Sequence, residues 1–142
     1  MTASSLAIKR LLLSTYLIGI FGTAAELLLL GHIDGWQQVL PVALLGVSVV
    51  VFALYAVKPT WATSAVFLVT MWMFLISGAV GVVLHFQGNA EFEREMYPEM
   101  KGIELIQKTL TGATPVLAPG TMALLGLVGM AYLRVADGAR AD

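Results

Sequence analysis

The chain of 142 residues contains no cysteine, and this absence removes several kinds of chemistry. Without thiols there is no disulfide, no thiolate nucleophile and no Cys-ligated zinc or iron–sulfur cluster. Charged residues are also scarce, at 12% of the chain against roughly 25% in soluble domains. The net charge of −1 comes without a basic patch that would neutralise phosphates, so nucleic acid is not an expected partner.

Long apolar runs take the place of the missing charge. Four of them occupy residues 11–30, 39–57, 61–86 and 115–133. Each is about as long as the roughly 20 helical residues that cross a bilayer core of about 30 Å. We therefore predict an all-α integral membrane protein, a four-helix bundle that forms a single membrane domain over residues 1–142. Its spans are expected near residues 6–30, 37–57, 61–86 and 114–134.

The stretch 87–113, between the third and fourth runs, is the only long hydrophilic segment. Apolar residues recur in it every three or four positions, at Phe92, Met96, Met100, Ile103, Ile106 and Leu110. This spacing predicts an amphipathic interfacial helix over about residues 90–111, which Pro98 should divide into two pieces, 90–97 and 98–111. We expect the apolar stripe to contact lipid headgroups or the bundle, either as a cap or as a lid over a binding site.

Lysine and arginine counts predict the orientation in the membrane. One side of the predicted bundle would hold Lys9, Arg10, Lys58, Arg134 and Arg140. The other side would hold only Arg94, Lys101 and Lys108, and these lie in the long segment 87–113 among more numerous glutamates. Because cytoplasmic loops carry the excess of positive charge, both termini are expected in the cytoplasm and residues 87–113 on the outer face.

Small residues at helical spacing predict how the spans pack. Lipid is as apolar as leucine, so membrane helices associate through close backbone approach and a few polar contacts. Three spans carry such residues: Thr15, Gly19 and Gly22 in the first, Ser77, Gly78 and Gly81 in the third, and Gly126 and Gly129 in the fourth. These faces are expected to join helices within one chain or between subunits.

Glu26, the only ionisable residue well inside an apolar run, is the first candidate for a binding site. His32 and His85, the only histidines, are predicted at the same end of the bundle, as are Asp34, Asn89 and Glu91. Histidine with carboxylates suits Zn²⁺ and other divalent metals, and two histidines can also ligate haem. The alternatives are a Glu26 that bonds a neighbouring helix and histidines bonded only to water or backbone.

The pattern contains no catalytic constellation, because no serine or threonine has a histidine partner at the same predicted depth. Enzymatic activity is left open but is not the favoured role. The leading hypothesis is a non-catalytic subunit of a homo-oligomer or of a larger assembly with other membrane subunits. The alternative is a cation-binding or transport-related protein that uses Glu26, His32, Asp34, His85, Asn89 and Glu91. A haem or quinone redox subunit is a further hypothesis, and an absorbance spectrum without a Soret band would exclude its haem form.

Overall fold

The computed structural model describes the backbone of residues 2–141 and the side chains of residues 2–138. Over these residues the chain is all-helical. Its five helices, in chain order, are α1 (Ala3–Leu29), α2 (Trp36–Val57), α3 (Trp61–Met96), α4 (Gly102–Leu110) and α5 (Gly120–Ala141). Four of them, α1, α2, α3 and α5, are long and apolar enough to cross a membrane, as predicted.

The four long helices form a closed bundle in which α3 and α5 make the most extensive contact. The helix α5 also packs against α1, and α2 packs against both α3 and α1. Glycines lie where α3 and α5 approach closely. A Cβ atom added at Gly78 would lie 2.6 Å from the backbone nitrogen of Ala123, and one added at Gly126 would lie 2.7 Å from the carbonyl oxygen of Met71. Only the absence of a side chain allows this approach.

Aromatic side chains fill one half of the bundle interior. Tyr16, Tyr55 and Phe67 are almost completely buried. The Tyr55 and Phe67 rings stack with their centroids 5.6 Å apart, and the edge of the Tyr16 ring meets Phe67 at 5.7 Å. Rings in these arrangements attract each other beyond the effect of burial alone. This cluster ties α1, α2 and α3 together near the end of the bundle where the chain begins.

The helix α3 is longer than its apolar run, which corrects the predicted end of the third span near residue 86. It continues without interruption to Met96, so its 36 residues extend about 54 Å. The change from apolar to polar residues near Gln87 therefore does not mark a helix end. The predicted separate piece at 90–97 is the last part of α3, and the chain turns at Tyr97, directly before Pro98, as expected.

The fourth span also begins and ends later than predicted. Residues 116–119 form turns, and α5 begins at Gly120 instead of near Thr114. Pro119 gives the reason: in a helix starting at Pro115 its ring would clash with the carbonyl of residue 115 and it would have no N–H to donate. At the other end α5 continues past the predicted end at 134, because Ala136 is buried and the Asp137 carboxylate accepts a 2.8 Å hydrogen bond from the Tyr55 hydroxyl.

The short helix α4 packs beside the C-terminal turns of α3, and Thr109 is its one buried side chain. In those turns of α3, Asn89, Ala90 and Glu93 are buried. The residues of the predicted apolar stripe are instead largely exposed: Phe92, Met96, Ile103, Ile106 and Leu110. These five residues therefore do not pack against the bundle, and their contact with lipid headgroups stays a prediction. A hydrogen bond from the Asn89 amide to the Thr109 carbonyl holds α4 to α3.

Candidate functional site

The first histidine of the candidate site is placed by the turn that ends α1. Gly31 has a φ of 63°, and the His32 N–H donates to the Leu27 carbonyl at 2.9 Å while the Gly31 N–H donates to Leu28. This pair of bonds around a left-handed glycine is the Schellman motif, which terminates many helices. The motif reverses the chain at once, so that the half-buried His32 side chain lies at the end of the bundle rather than beyond it.

His85 reaches the same end of the bundle from α3. Its Nδ1 lies 3.1 Å from the carbonyl oxygen of Pro115, in the connection that precedes α5. A carbonyl oxygen can only accept, so Nδ1 carries the proton and donates this bond. In the neutral tautomer that this bond selects, Nε2 is the nitrogen without a proton. In metalloproteins a histidine ligand is held in the same way, with its second nitrogen donating to a backbone carbonyl.

The two imidazole rings lie close together, one in the turn after α1 and the other on α3. Their centroids are 6.5 Å apart, and their planes are inclined by 52°. Partial burial, together with the charge on a protonated His85, lowers the pKa of His32 below its ordinary value. Near neutral pH the neutral form of His32 is therefore favoured. A neutral imidazole keeps a lone pair free for a cation or for a hydrogen-bond donor.

Asn89, one turn beyond His85, is committed to structural hydrogen bonds. Its Nδ2 donates to the carbonyls of Thr109 at 2.9 Å and Thr114 at 2.8 Å, and its Oδ1 accepts from the Thr114 hydroxyl at 2.7 Å and the Thr114 N–H at 3.2 Å. Every polar atom of the amide is therefore used. Asn89 positions the connection that carries Pro115, and through it supports the acceptor of His85.

Within the described residues, the three carboxylates predicted for the same site form no ligand group with the two rings. Glu26, Asp34 and Glu91 are all exposed. Glu91 lines an open groove of about 590 Å³ along α3, with Arg94 on the same wall. Across the part of the chain that the structure describes, no three His, Asp or Glu side chains form a group that could hold a metal ion. The structure thus brings together two of the six predicted ligands, His32 and His85.

The contact between Tyr55 and Asp137 was missed by the sequence analysis. Asp137 lies beyond the predicted end of the fourth span at residue 134, and Tyr55 lies in an apolar run 82 positions earlier. The Tyr132 ring lies nearby, edge-on to Tyr55 at 6.3 Å, and the Lys9 ammonium lies 6.0 Å from the centre of that ring. One indication of this contact is present in the sequence, a tyrosine near the end of each of two apolar runs, Tyr55 and Tyr132.

Comparisons with known proteins give this chain no relative from which a role could be transferred. No protein-family model, curated protein or solved structure matches it.

Proposed function

We propose that this chain is an integral membrane subunit that assembles with further copies of itself, or into a larger membrane complex, through the exposed face of α1. The distribution of Lys and Arg supports an orientation with both termini in the cytoplasm and residues 87–113 on the outer face. In that orientation the two histidines lie at the outer end of the bundle.

The observation that carries the proposal is the exposure of Glu26. This carboxyl stands in the last turns of α1, where the helix is otherwise apolar, and within the described residues it makes no hydrogen bond or ion pair. An ionisable group at membrane depth normally faces protein or water and finds a partner. No described residue of its own bundle bonds to the Glu26 carboxyl, so we expect a neighbouring subunit to provide the hydrogen-bond or ion-pair partner.

The residues around Glu26 are suited to close contact with a second helix. Gly22, one turn earlier, is exposed, and a Cβ added to it would meet no atom within 4 Å. Thr15, two turns before Gly22, is exposed on the same face. Gly19 is different: a Cβ there would collide with the Leu125 side chain, so this glycine serves the contact between α1 and α5. Among the glycines that the sequence predicted to pack helices, Gly22 is therefore the one not used within the chain, and it is available for assembly.

Assembly can be tested with a matched pair of glycine variants of the full chain in mild detergent. Gly22→Leu should shift the population toward monomer in native mass measurement, because it fills the surface where a second backbone would approach. Gly46→Leu is the control, since Gly46 is also exposed, on α2, with no atom within 4 Å of an added Cβ. A wild-type protein that is monomeric and copurifies with no partner would contradict the proposal.

Disulfide trapping offers a second test because the chain has no cysteine of its own. A single Gly22→Cys variant should form a crosslinked dimer in native membranes under mild oxidation. A single Gly46→Cys variant, at a position that is also exposed but lies on α2, should not. Equal crosslinking of both variants would indicate random collision rather than a specific α1 interface.

The second candidate function is cation binding at the histidine end of the bundle. It is supported by the 6.5 Å separation of the His32 and His85 rings and by the bond that fixes the His85 tautomer. Delivery or uptake of a cation at the outer face would be the purpose of such a site. Metal analysis of the purified protein tests it, and a chain that binds no added metal through either histidine would exclude it.

A further inference from the structure

The ring separation selects among cations, because one metal ion imposes a fixed distance between its ligands. A histidine nitrogen lies about 2.0–2.1 Å from a bound metal, so the ring centre lies roughly 3.2 Å away. Two rings at a tetrahedral angle would then have their centres about 5.2 Å apart, and two rings on opposite sides of the ion about 6.4 Å apart. The observed separation of His32 and His85 is 6.5 Å, close to the second arrangement.

The number of available ligands leads to the same class of ion. Structural Zn²⁺ sites use four protein ligands, and catalytic ones use three. Within the described residues no third His, Asp or Glu joins the pair. Monovalent ions with a filled d shell, Cu⁺ and Ag⁺, accept two nitrogen ligands in a nearly linear arrangement and need no third. A site of two imidazoles and no third ligand therefore suits them better than it suits a hard or four-coordinate divalent ion.

We infer that His32 and His85 form a two-coordinate site for a soft monovalent cation, Cu⁺ in the first instance, at the junction of α1, α3 and the connection before α5. This inference rests on the proposed cation site and names its ion. Nε2 of His85 is one ligand, because Nδ1 is held by the Pro115 carbonyl. The second ligand is a ring nitrogen of His32, whose side chain makes no hydrogen bond within the described residues.

Bound Cu⁺ would join two parts of the bundle that otherwise meet only by packing. His32 belongs to the turn after α1, whereas His85 is bonded to the connection that leads into α5. An ion that bridges them stabilises the folded state by mass action, since the unfolded chain does not hold the two rings together. A rise in Tm on addition of Cu⁺ is therefore expected alongside binding itself.

The experiment titrates the purified full chain in detergent with Cu⁺ under anaerobic, reducing conditions against a colorimetric Cu⁺ chelator. One equivalent per chain is expected for the wild type, and at least a tenfold loss of affinity for His32→Ala and for His85→Ala. Met96→Leu and Met100→Leu are the controls, because thioethers are the competing Cu⁺ ligands of this chain and neither should change the affinity. X-ray absorption of the wild-type complex, which needs no variant, should show two nitrogen neighbours and no sulfur.

The outcomes separate this inference from the function on which it rests. Stoichiometric binding of Zn²⁺ or Ni²⁺ through the histidines, without binding of Cu⁺, would overturn the choice of ion and keep the cation site. Cu⁺ binding that survives loss of either histidine, or that shows sulfur neighbours, would overturn the inference as well. Absence of all metal binding would remove both, while the assembly tested at Gly22 would be unaffected.

Discussion

At the scale of single residues, His32 links the histidine pair to pH. Its pKa is lowered in the folded chain by partial burial first and by His85 second. Between that lowered pKa and the ordinary value of about 6.5, the unfolded chain binds more protons than the folded one. Stability is therefore expected to be complete above about pH 6.5 and to fall as the pH drops through this window. Thermal unfolding in detergent at pH 7.5 and pH 5.5 measures the effect.

The His32→Gln variant identifies the group responsible. Glutamine keeps a polar side chain of similar reach but cannot be protonated, so the loss of Tm between pH 7.5 and pH 5.5 should be smaller than in the wild type. If the variant and the wild type lose stability equally, the acid sensitivity belongs to other groups and the assignment to His32 is wrong.

Among the residues around the site, Asn89 is the one whose replacement should lower the free energy of unfolding most. It is 3% exposed and makes four hydrogen bonds to the segment 109–114. Asn89→Ala would leave buried backbone carbonyls without donors, at a cost of about 2 kcal/mol or more in the free energy of unfolding. Because these bonds hold α4, hydrogen exchange in residues 97–119 should rise more than in the spans. Gln87→Ala, which removes an exposed amide from the same helix, is the control and should change neither measurement.

At the scale of elements, two glycines of α3 with opposite surroundings test the close contact with α5. A Cβ at Gly78 would lie 2.6 Å from a backbone nitrogen of α5, whereas a Cβ at Gly88 would meet nothing within 4 Å. Gly78→Ala should therefore cost about 1–3 kcal/mol through overpacking. Gly88→Ala should be neutral or stabilise by up to about 1 kcal/mol, because alanine favours helix. Denaturant titration in detergent compares them, and equal effects would show that α3 and α5 do not meet as described.

The existence of the spans could be predicted from the sequence, whereas two of their ends could not. Lipid demands about 20 apolar residues and a satisfied backbone, so an apolar run fixes a helix. It does not fix where the helix stops, as α3 shows by continuing ten residues beyond Phe86 to Met96. The late start of α5 could have been predicted from Pro119. The continuation of α5 past residue 134 could not, because it depends on the contact of Asp137 with Tyr55, which is distant in the sequence.

The candidate site was predictable to the same limited extent. The directions of α1 and α3 follow from the number of crossings, and these directions bring His32 and His85 to one end of the bundle. The sequence does not give the rotation of each helix about its axis. That rotation exposes Glu26 and assigns Asn89 to α4 and the connection that follows, and only the packing of neighbouring helices determines it.

At the scale of the whole molecule, the exposed features lie on separate surfaces. The α1 face around Gly22 and Glu26 lies on a helix of membrane-spanning length, whereas the exposed apolar residues of α4 and of the end of α3 follow the third apolar run. Met96 is eleven residues past His85, or about 16 Å further along the helix axis. An assembly that uses the first surface would leave the second exposed. The proposed larger complex would account for both surfaces if another subunit covered Ile103, Ile106 and Leu110.

The orientation of the molecule can be tested because every cysteine in a variant is an introduced one. Lys58 and Glu99 are exposed in turns at opposite ends of α3. With both termini in the cytoplasm, a membrane-impermeant thiol reagent applied to intact cells should label Glu99→Cys, and should label Lys58→Cys only after permeabilisation. The reverse pattern would contradict the orientation that the Lys and Arg counts favour. Labelling of both sites from the same side would be more serious, because α3 would then not cross the membrane and the four-span architecture would be lost with it.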